Sequence, residues 1–279
     1  MARKPVFHYT SIAITALFVF LLTAACHKNK AANEDTGYAS DQSTAEKTFT
    51  DIQNISDQAS VVSSGNQMNY RTTAATSLGC ATVYKSADSI VIDFGTVNCT
   101  CHDGRTRRGK IIVTYTGAYT DAGSIHTITF DNFYQNDNKI TGQKTVTNMG
   151  HNSSGQPYFN IEVNGAVTLS GGGTVSANWS RVRTWTSGYN TPSDFTDDVY
   201  SISGSGIMIR ANGTNVKVNI PVSAPLIVST TCKWIEAGTI TFTLPGDIVR
   251  SLNYGTTPVC DNTAQLTLPN GKIIDITKP

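Results

Sequence analysis

A strict two-residue alternation marks the segment Thr239-Ile240-Thr241-Phe242-Thr243-Leu244, and Ile125-His126-Thr127-Ile128-Thr129-Phe130 carries a similar pattern. Successive side chains of a β-strand point to opposite faces of its sheet. The pattern therefore predicts strands with one apolar face and one face rich in threonine, as in an antiparallel sheet with one wet side.

Segments of this kind continue from Cys80 to the C-terminus, separated by short turns such as Asn212-Gly213 and Asn270-Gly271, which favour hairpins. Because a parallel crossover needs about a dozen residues or more, such short connections predict antiparallel neighbours. The predicted fold is all-β: a large, mostly antiparallel meander over 80–279, built as a curved sheet, a barrel-like sheet or a sandwich. The predicted strands are 89–94, 110–119, 126–133, 139–147, 158–169, 175–186, 199–210, 216–222, 234–244, 249–254, 265–268 and 273–277.

One short amphipathic helix is predicted before the sheet, over 44–62. Ser43 and Glu46 have the spacing of a capping box. Apolar residues then recur at spacings of three and four: Phe49, Ile52, Ile55 and Ala59. Since this stripe is narrow, we expect the helix to pack on the sheet. Residues 26–43 are predicted to be a flexible tether and residues 63–79 a linker.

The N-terminus has the pattern of an export signal. Arg3 and Lys4 precede an apolar run from Ile12 to Leu22, which is shorter than the roughly 20 residues of a membrane span. The run ends in Leu22-Thr23-Ala24-Ala25-Cys26, which resembles the lipobox of bacterial lipoproteins. That resemblance implies a signal peptide over 1–25, cleavage before Cys26 and acylation of its thiol by palmitate or a similar chain. His27 follows the cysteine, which favours delivery to the outer membrane; an ordinary signal peptide or an uncleaved anchor is the alternative.

Composition excludes some partners. Charged residues make up 15% of the chain, below the roughly 25% of an ordinary domain. The 21 Lys and Arg residues nearly balance the 20 Asp and Glu residues in charge. Because nucleic-acid binding needs a concentrated positive field, we expect no nucleic-acid partner.

A weak internal repeat places the cysteines. Cys80 and Cys99 bracket one predicted hairpin, and Cys232 and Cys260 bracket another. Hairpin ends lie close enough for disulfide bonds, and an exported protein meets an oxidising compartment. We predict the bridges Cys80–Cys99 and Cys232–Cys260, with a Cys80–Cys101 pairing as the open alternative. Cys99-Thr100-Cys101 has no second pair of ligands nearby in the sequence, so no metal site and no cofactor are predicted.

Several runs together resemble a group of uncharacterised, β-rich lipoproteins of Bacteroidota. The runs are Asp93-Phe94-Gly95-Thr96, Gly104 to Ile111, Thr129 to Tyr134, Arg183-Thr184-Trp185 and Asp197 to Tyr200. The resemblance extends from about Cys80 to the C-terminus. It implies export and a β-fold, and it brings no catalytic residues.

The best candidate ligand surface is a strand face made by Trp179, Arg181, Arg183 and Trp185. Alternate positions share one face, and arginine with tryptophan can form cation–π pairs or bind sugar rings. The alternative is a structural role, with these side chains exposed as a protective layer or buried beneath the helix.

Other motifs are weaker. The segment Gly104 to Lys110 begins like a phosphate loop but lacks the following Ser or Thr, so a solvated basic turn, or at most a weak anionic contact, is expected. His126 is expected to be an exposed sheet residue.

The sequence favours a membrane-tethered, non-enzymatic envelope protein with a structural or weak-binding role. The alternative is an accessory glycan-binding lipoprotein that uses the strand face. A third possibility is a secreted hydrolase, for which Glu162 and Glu236 are the strand carboxylates; no catalytic residue is assigned. The expected partners are the membrane, through the lipid, and a glycan or an envelope protein.

Overall fold

The computed structural model describes residues 1, 35–60, 68–69, 78–191 and 194–277. The described residues from Thr36 onward belong to one compact unit. Nearly all of the predicted signal peptide, Cys26 and most of the predicted linker 63–79 lie outside the described residues. Among the described residues, no helix is both long enough and apolar enough to cross a membrane.

The described chain contains one long helix, a 16-stranded sheet and one 3₁₀ turn, η1 (Phe195–Asp197). The long helix is α1 (Gly37–Ser60). The strands are β1 (Met68–Asn69), β2 (Thr82–Lys85), β3 (Ser89–Asp93), β4 (Cys99–Thr100), β5 (Thr106–Tyr115), β6 (Ile125–Gln135), β7 (Asn138–His151), β8 (Pro157–Thr168), β9 (Thr174–Ser187), β10 (Val199–Ile209), β11 (Asn215–Ile220), β12 (Leu226–Ser229), β13 (Thr239–Leu244), β14 (Ile248–Asn253), β15 (Thr263–Thr267) and β16 (Ile273–Thr277).

The sheet is the predicted antiparallel meander. Its order is β1-β2-β3-β5-β6-β7-β8-β9-β10-β11-β13-β14-β15-β16, with β4 beside β5 and β12 beside the first half of β10. The sheet is curved and unclosed. The glycines of the predicted Asn-Gly hairpins, Gly213 and Gly271, have φ near +80°, a conformation that glycine adopts at little cost.

The predicted strand alternation is also present. In β13, Ile240 and Phe242 are buried while Thr239 and Thr241 are half-buried, so the apolar residues face the core. The predicted strand 234–244 begins only at Thr239. The reason is local: Cys232 to Gly238 form a loop that the Cys232–Cys260 disulfide holds.

The helix packs on the sheet as predicted, but it begins at Gly37, inside the predicted tether, and not at Thr44. The capping box at Ser43 does not form. Ser43 shares a hydrogen bond with Tyr254 (Oγ to Oη, 2.8 Å), and Glu46 turns to Arg181 on β9. Contacts with the sheet therefore override the local signal.

Buried residues of α1 belong to one hydrophobic core with buried residues of the sheet, and the helix lies against β3, β8 and β9, so the core lies between the helix and the sheet. Helix residues such as Phe49, Ile52 and Ile55 are fully or almost fully buried. A Cβ added at Gly165 of β8 would come within 2.7 Å of the Phe49 ring, so the missing side chain admits the phenyl group.

Candidate binding site

The predicted ligand surface shares one face of β9, but that face points into the core. Trp179, Arg181, Arg183 and Trp185 are only 3%, 3%, 1% and 7% exposed, and residues of α1 and neighbouring strands cover them. The expectation of a solvent-facing ligand surface at these residues is therefore wrong, and the structural alternative holds.

The two arginines are held by acids of α1. Arg181 binds Glu46 (Nη2 to Oε2, 2.9 Å), and its guanidinium lies 4.8 Å from the centre of the Trp179 ring. Arg183 binds Asp57 (Nη1 to Oδ2, 2.7 Å). Because a buried charge is tolerated only when it is paired, these contacts explain how the strand can bury two cations. The sequence contains both acids, Glu46 and Asp57, but no local pattern links them to the arginines of β9.

Trp185 also has a buried partner. Its indole Nε1 donates to Asp198 (2.9 Å to Oδ1), and the hydroxyl of Tyr200 donates to the other oxygen of that carboxylate. Burial raises the pKa of Asp198 to about 6, although these two hydrogen bonds act in the opposite direction. Hydrogen bonds to protein groups therefore occupy the polar atom that Trp185 would offer a ligand.

The basic segment from Gly104 to Lys110 is largely neutralised. Arg107 is buried against Asp103 (Nη2 to Oδ2, 2.6 Å), Arg108 pairs with Asp137, and Lys110 pairs with Asp93. Burial alone would raise the pKa of Asp103, but the hydrogen bond and charge of Arg107 and the charge of Arg105 lower it. Arg105 is paired as well, with Asp103 (Nη1 to Oδ2, 3.1 Å) and with Asp51 (Nε to Oδ2, 3.0 Å), so this segment offers no unpaired arginine for the anionic contact considered above.

Arg105 lines a cavity of about 500 Å³ that we call the helix cleft. Helix α1 forms one side with Ser43, Lys47 and Asp51. The loops after β4 and β12 contribute Arg105 and Lys233. The remaining lining residues are Ser40, Thr44, Thr48, Gly104, Gln135, Asn136, Asn138, Trp234, Ile235, Ile276 and Thr277.

Positive charge predominates in the helix cleft. The described lining residues carry three cationic groups, those of Lys47, Arg105 and Lys233, and one carboxylate, that of Asp51. Asp51 forms salt bridges with Lys47 (Nζ to Oδ1, 3.2 Å) and with Arg105 (Nε to Oδ2, 3.0 Å). Among the described residues, Lys233 has no carboxylate within ion-pair distance. The cleft thus has an excess of cationic groups that can attract an anion.

The cleft also has an aromatic wall and disulfide-bonded loops. Trp234 is half-buried, so part of its indole surface is accessible. The Cys232–Cys260 bond holds the loop that carries Lys233 and Trp234, and Lys47 donates to the Cys232 carbonyl (3.1 Å). The Cys80–Cys99 bond holds the loop that leads to Arg105. Both predicted disulfides are confirmed, and both restrain walls of the helix cleft.

A smaller cavity of about 220 Å³ lies near the C-terminal end of α1, lined by rings that include Tyr115, Tyr119 and His126. His126 is 3% exposed, so the expectation of an exposed histidine is wrong. The ring packs between the two tyrosines, at 5.4 and 5.3 Å between centroids. Burial lowers the pKa of His126, which favours the neutral imidazole.

The two strand carboxylates considered for hydrolysis are separately engaged. Glu162 lies on the exposed face of β8 and accepts a hydrogen bond from Ser180 of β9. The prediction that Glu236 lies on a strand is wrong, because this residue lies in the loop before β13, where it accepts a hydrogen bond from Ser229 (2.8 Å). Each carboxylate therefore has its own serine partner on a different strand.

Comparison with protein-family models, curated proteins and solved structures finds no match to this chain.

Proposed function

We propose that this protein is a non-enzymatic envelope lipoprotein, tethered through Cys26, that binds a small acidic glycan in the helix cleft. One observation carries the ligand proposal: three cationic side chains and an accessible tryptophan line a single cavity. Its volume of about 500 Å³ lies within the range of roughly 300–1,000 Å³ usual for small-molecule sites.

The lining chemistry favours an acidic sugar. A pyranose ring presents C–H groups that pack on an indole face, here that of Trp234. A uronic-acid carboxylate would pair with Lys233, and Arg105, which is bound to Asp51 and Asp103, would add positive charge beside it. The hydroxyl and amide groups of Ser43, Thr44 and Asn136 can exchange hydrogen bonds with sugar hydroxyls.

Binding is favoured over catalysis because the acid in the cleft is engaged. Both oxygens of Asp51 have partners, because Asp51 pairs with Lys47 and Arg105 and accepts a hydrogen bond from the Gln135 amide (3.2 Å). Glycoside hydrolysis ordinarily uses a pair of carboxylates, and among the described residues Asp51 is the only acid that lines the cleft.

The membrane tether rests on the sequence from Arg3 to Cys26. Acyl chains on Cys26 would anchor the domain by burial of about 0.8 kcal/mol per CH₂ group. Metabolic labelling with a fatty acid checks this part: we expect label on the wild-type chain and none on Cys26→Ser. Label retained by the variant would contradict anchoring through this residue.

Calorimetry tests the ligand. The lipid-free chain that begins at His27 is titrated with digalacturonic acid and, separately, with the neutral disaccharide of the same linkage. We expect binding of the acidic disaccharide only, weakening as salt is added. Lys233→Ala should weaken it about fivefold, the loss of roughly 1 kcal/mol for an exposed ion pair.

Two further variants complete this experiment. Trp234→Ala should abolish measurable binding, because the ring provides the apolar contact. Lys217→Ala removes an exposed lysine of β11 that lies outside the cleft, and it should bind like the wild type. Equal binding of both disaccharides, or equal loss in the two lysine variants, would refute the proposal.

A further inference from the structure

Three cysteine sulfurs form one cluster beside β4. Cys80 and Cys99 are disulfide-bonded, and Cys101 is a free thiol. The Cys101 Sγ lies 3.4 Å from the Cys80 Sγ, and all three sulfurs lie within 4.8 Å of one another. A thiol in contact with a disulfide is a potential nucleophile for thiol–disulfide exchange.

The backbone holds Cys101 in this position. Its amide donates to the Arg105 carbonyl (2.8 Å), and its carbonyl accepts from the Gly104 amide (2.9 Å). A Cβ added at Gly79 would lie 3.2 Å from the Cα of Cys101, so this glycine permits the close approach. The contact between the sulfurs thus follows from a tight loop and a close backbone crossing.

The environment of Cys101 combines burial with a neighbouring cation. The residue is 3% exposed, and burial raises the pKa of its thiol, while the charge and hydrogen bond of Arg107 act in the opposite direction. Cys80 and Cys99 are only partly buried. The free thiol is therefore shielded from solvent, whereas both partners of the disulfide are more accessible.

We propose that Cys99 is a modification site which becomes available when Cys101 exchanges into the Cys80–Cys99 disulfide. The Cys101 thiolate attacks the Cys80 sulfur, the Cys80–Cys101 bond forms, and the Cys80–Cys99 bond breaks. Cys99 leaves as the thiolate and takes up a proton, which replaces the one that Cys101 released. One disulfide replaces another, so the step needs no oxidant or reductant.

Geometry sets a requirement for this exchange. In-line attack on the Cys80 sulfur requires the Cys99 and Cys101 sulfurs to lie on opposite sides of it, more than 4.8 Å apart. These two sulfurs lie within 4.8 Å of each other, so the Cys101 side chain must first rotate. Chain entropy does not oppose the product. The bridges span 19 and 21 residues, and loop-closure entropy changes little between such similar lengths.

The proposal is tested by alkylation of the folded, lipid-free chain with iodoacetamide near pH 8.5, followed by digestion without reduction and mass spectrometry. We expect label on Cys99, together with a new Cys80–Cys101 bridge, while Cys232–Cys260 stays intact. Label on Cys101 with Cys80–Cys99 unchanged would overturn the proposal. An unlabelled folded chain whose Cys101 reacts after denaturation would overturn it as well.

Two variants identify the nucleophile. Cys101→Ser and Cys101→Ala keep both disulfides and remove the attacking sulfur, so Cys99 should remain unlabelled in each. Label on Cys99 in either folded variant would show that another route opens the bridge. The proposal does not rest on ligand binding, and failure in the calorimetric titrations leaves it standing.

Discussion

At the scale of single residues, the acids of α1 determine whether the arginines of β9 can remain buried. Asp57 neutralises Arg183, which is 1% exposed and lies 3.4 Å from the centre of the Tyr200 ring. Replacing Asp57 by Asn leaves the guanidinium without its acid, and we expect a loss of about 3–5 kcal/mol in the free energy of unfolding. Urea denaturation measures this loss.

The control is the pair between Arg108 and Asp137, whose carboxylate side chain is 55% exposed. Water already solvates this pair, so Asp137→Asn should change the free energy of unfolding far less than Asp57→Asn does. Similar losses in the two variants would mean that the buried pair has no special role.

Lys144 gives a pH-dependent prediction. Its ammonium donates to the Phe49 carbonyl (2.8 Å), and burial lowers its pKa from 10.5 to about 7. Between these values the unfolded chain binds a proton that the folded chain releases, so Lys144 makes stability increase with pH, by up to about 1.4 kcal/mol per unit. Below about pH 7 both states are protonated and this dependence ends.

Lys144→Met removes this titration. We expect the variant to be more stable than the wild type near pH 7, with an advantage that shrinks steadily up to pH 9. Urea denaturation at several pH values measures the difference, with the exposed Lys217→Met as control. A constant difference between wild type and Lys144→Met across this range would contradict the lowered pKa.

At the scale of elements, the packing between α1 and β8 is close at Gly165. A methyl group there would come within 2.7 Å of the Phe49 ring and 2.9 Å of the Thr141 carbonyl oxygen. We expect Gly165→Ala to destabilise the fold by about 1–3 kcal/mol, as in overpacked cores. Gly171→Ala is the matched control, since nothing lies within 4 Å of its added carbon. Equal thermal stability of the two variants would contradict this packing.

The elements differ in how far the sequence predicts them. The alternation of β13 and the Asn-Gly turns are local signals, and the strands and hairpins they predict are present. The start of α1 is not a local property, because Ser43 and Glu46 bond to Tyr254 and Arg181 from distant parts of the chain. The burial of the β9 arginines is not a local property either. Alternation along the strand predicts that Arg181 and Arg183 share a face, but the acids that pair with them lie about 130 residues earlier in the chain.

At the scale of the whole molecule, the sheet curves around a helix that is buried along most of its length. Amides of α1 should therefore exchange hydrogen only when the sheet also opens. Hydrogen exchange measured by mass spectrometry should give α1 peptides the same high protection as β8 and β9. Fast exchange in α1 beside a protected sheet would show that the helix detaches independently.

The helix cleft also depends on the fold of the whole molecule, and the sequence therefore did not predict it. Lys47, Arg105 and Lys233 come from the helix and two separate loops. The phosphate-loop-like pattern from Gly104 to Lys110 includes Arg105 but gives no indication of Lys47 or Lys233, and the fold of the sheet brings the three residues together. The cysteine pairing, in contrast, was predictable, because each pair brackets one hairpin and a hairpin brings its two ends together.

The three tryptophans can report directly whether a ligand binds in the helix cleft. Trp179 and Trp185 are buried in the core, whereas Trp234 lines the helix cleft. Indole N–H resonances of the ¹⁵N-labelled chain, assigned with Trp234→Phe, are followed during titration with digalacturonic acid. We predict a saturable shift of the Trp234 signal alone, absent with the neutral disaccharide. An unmoved Trp234 signal, or shifts confined to Trp179 and Trp185, would contradict binding in the helix cleft.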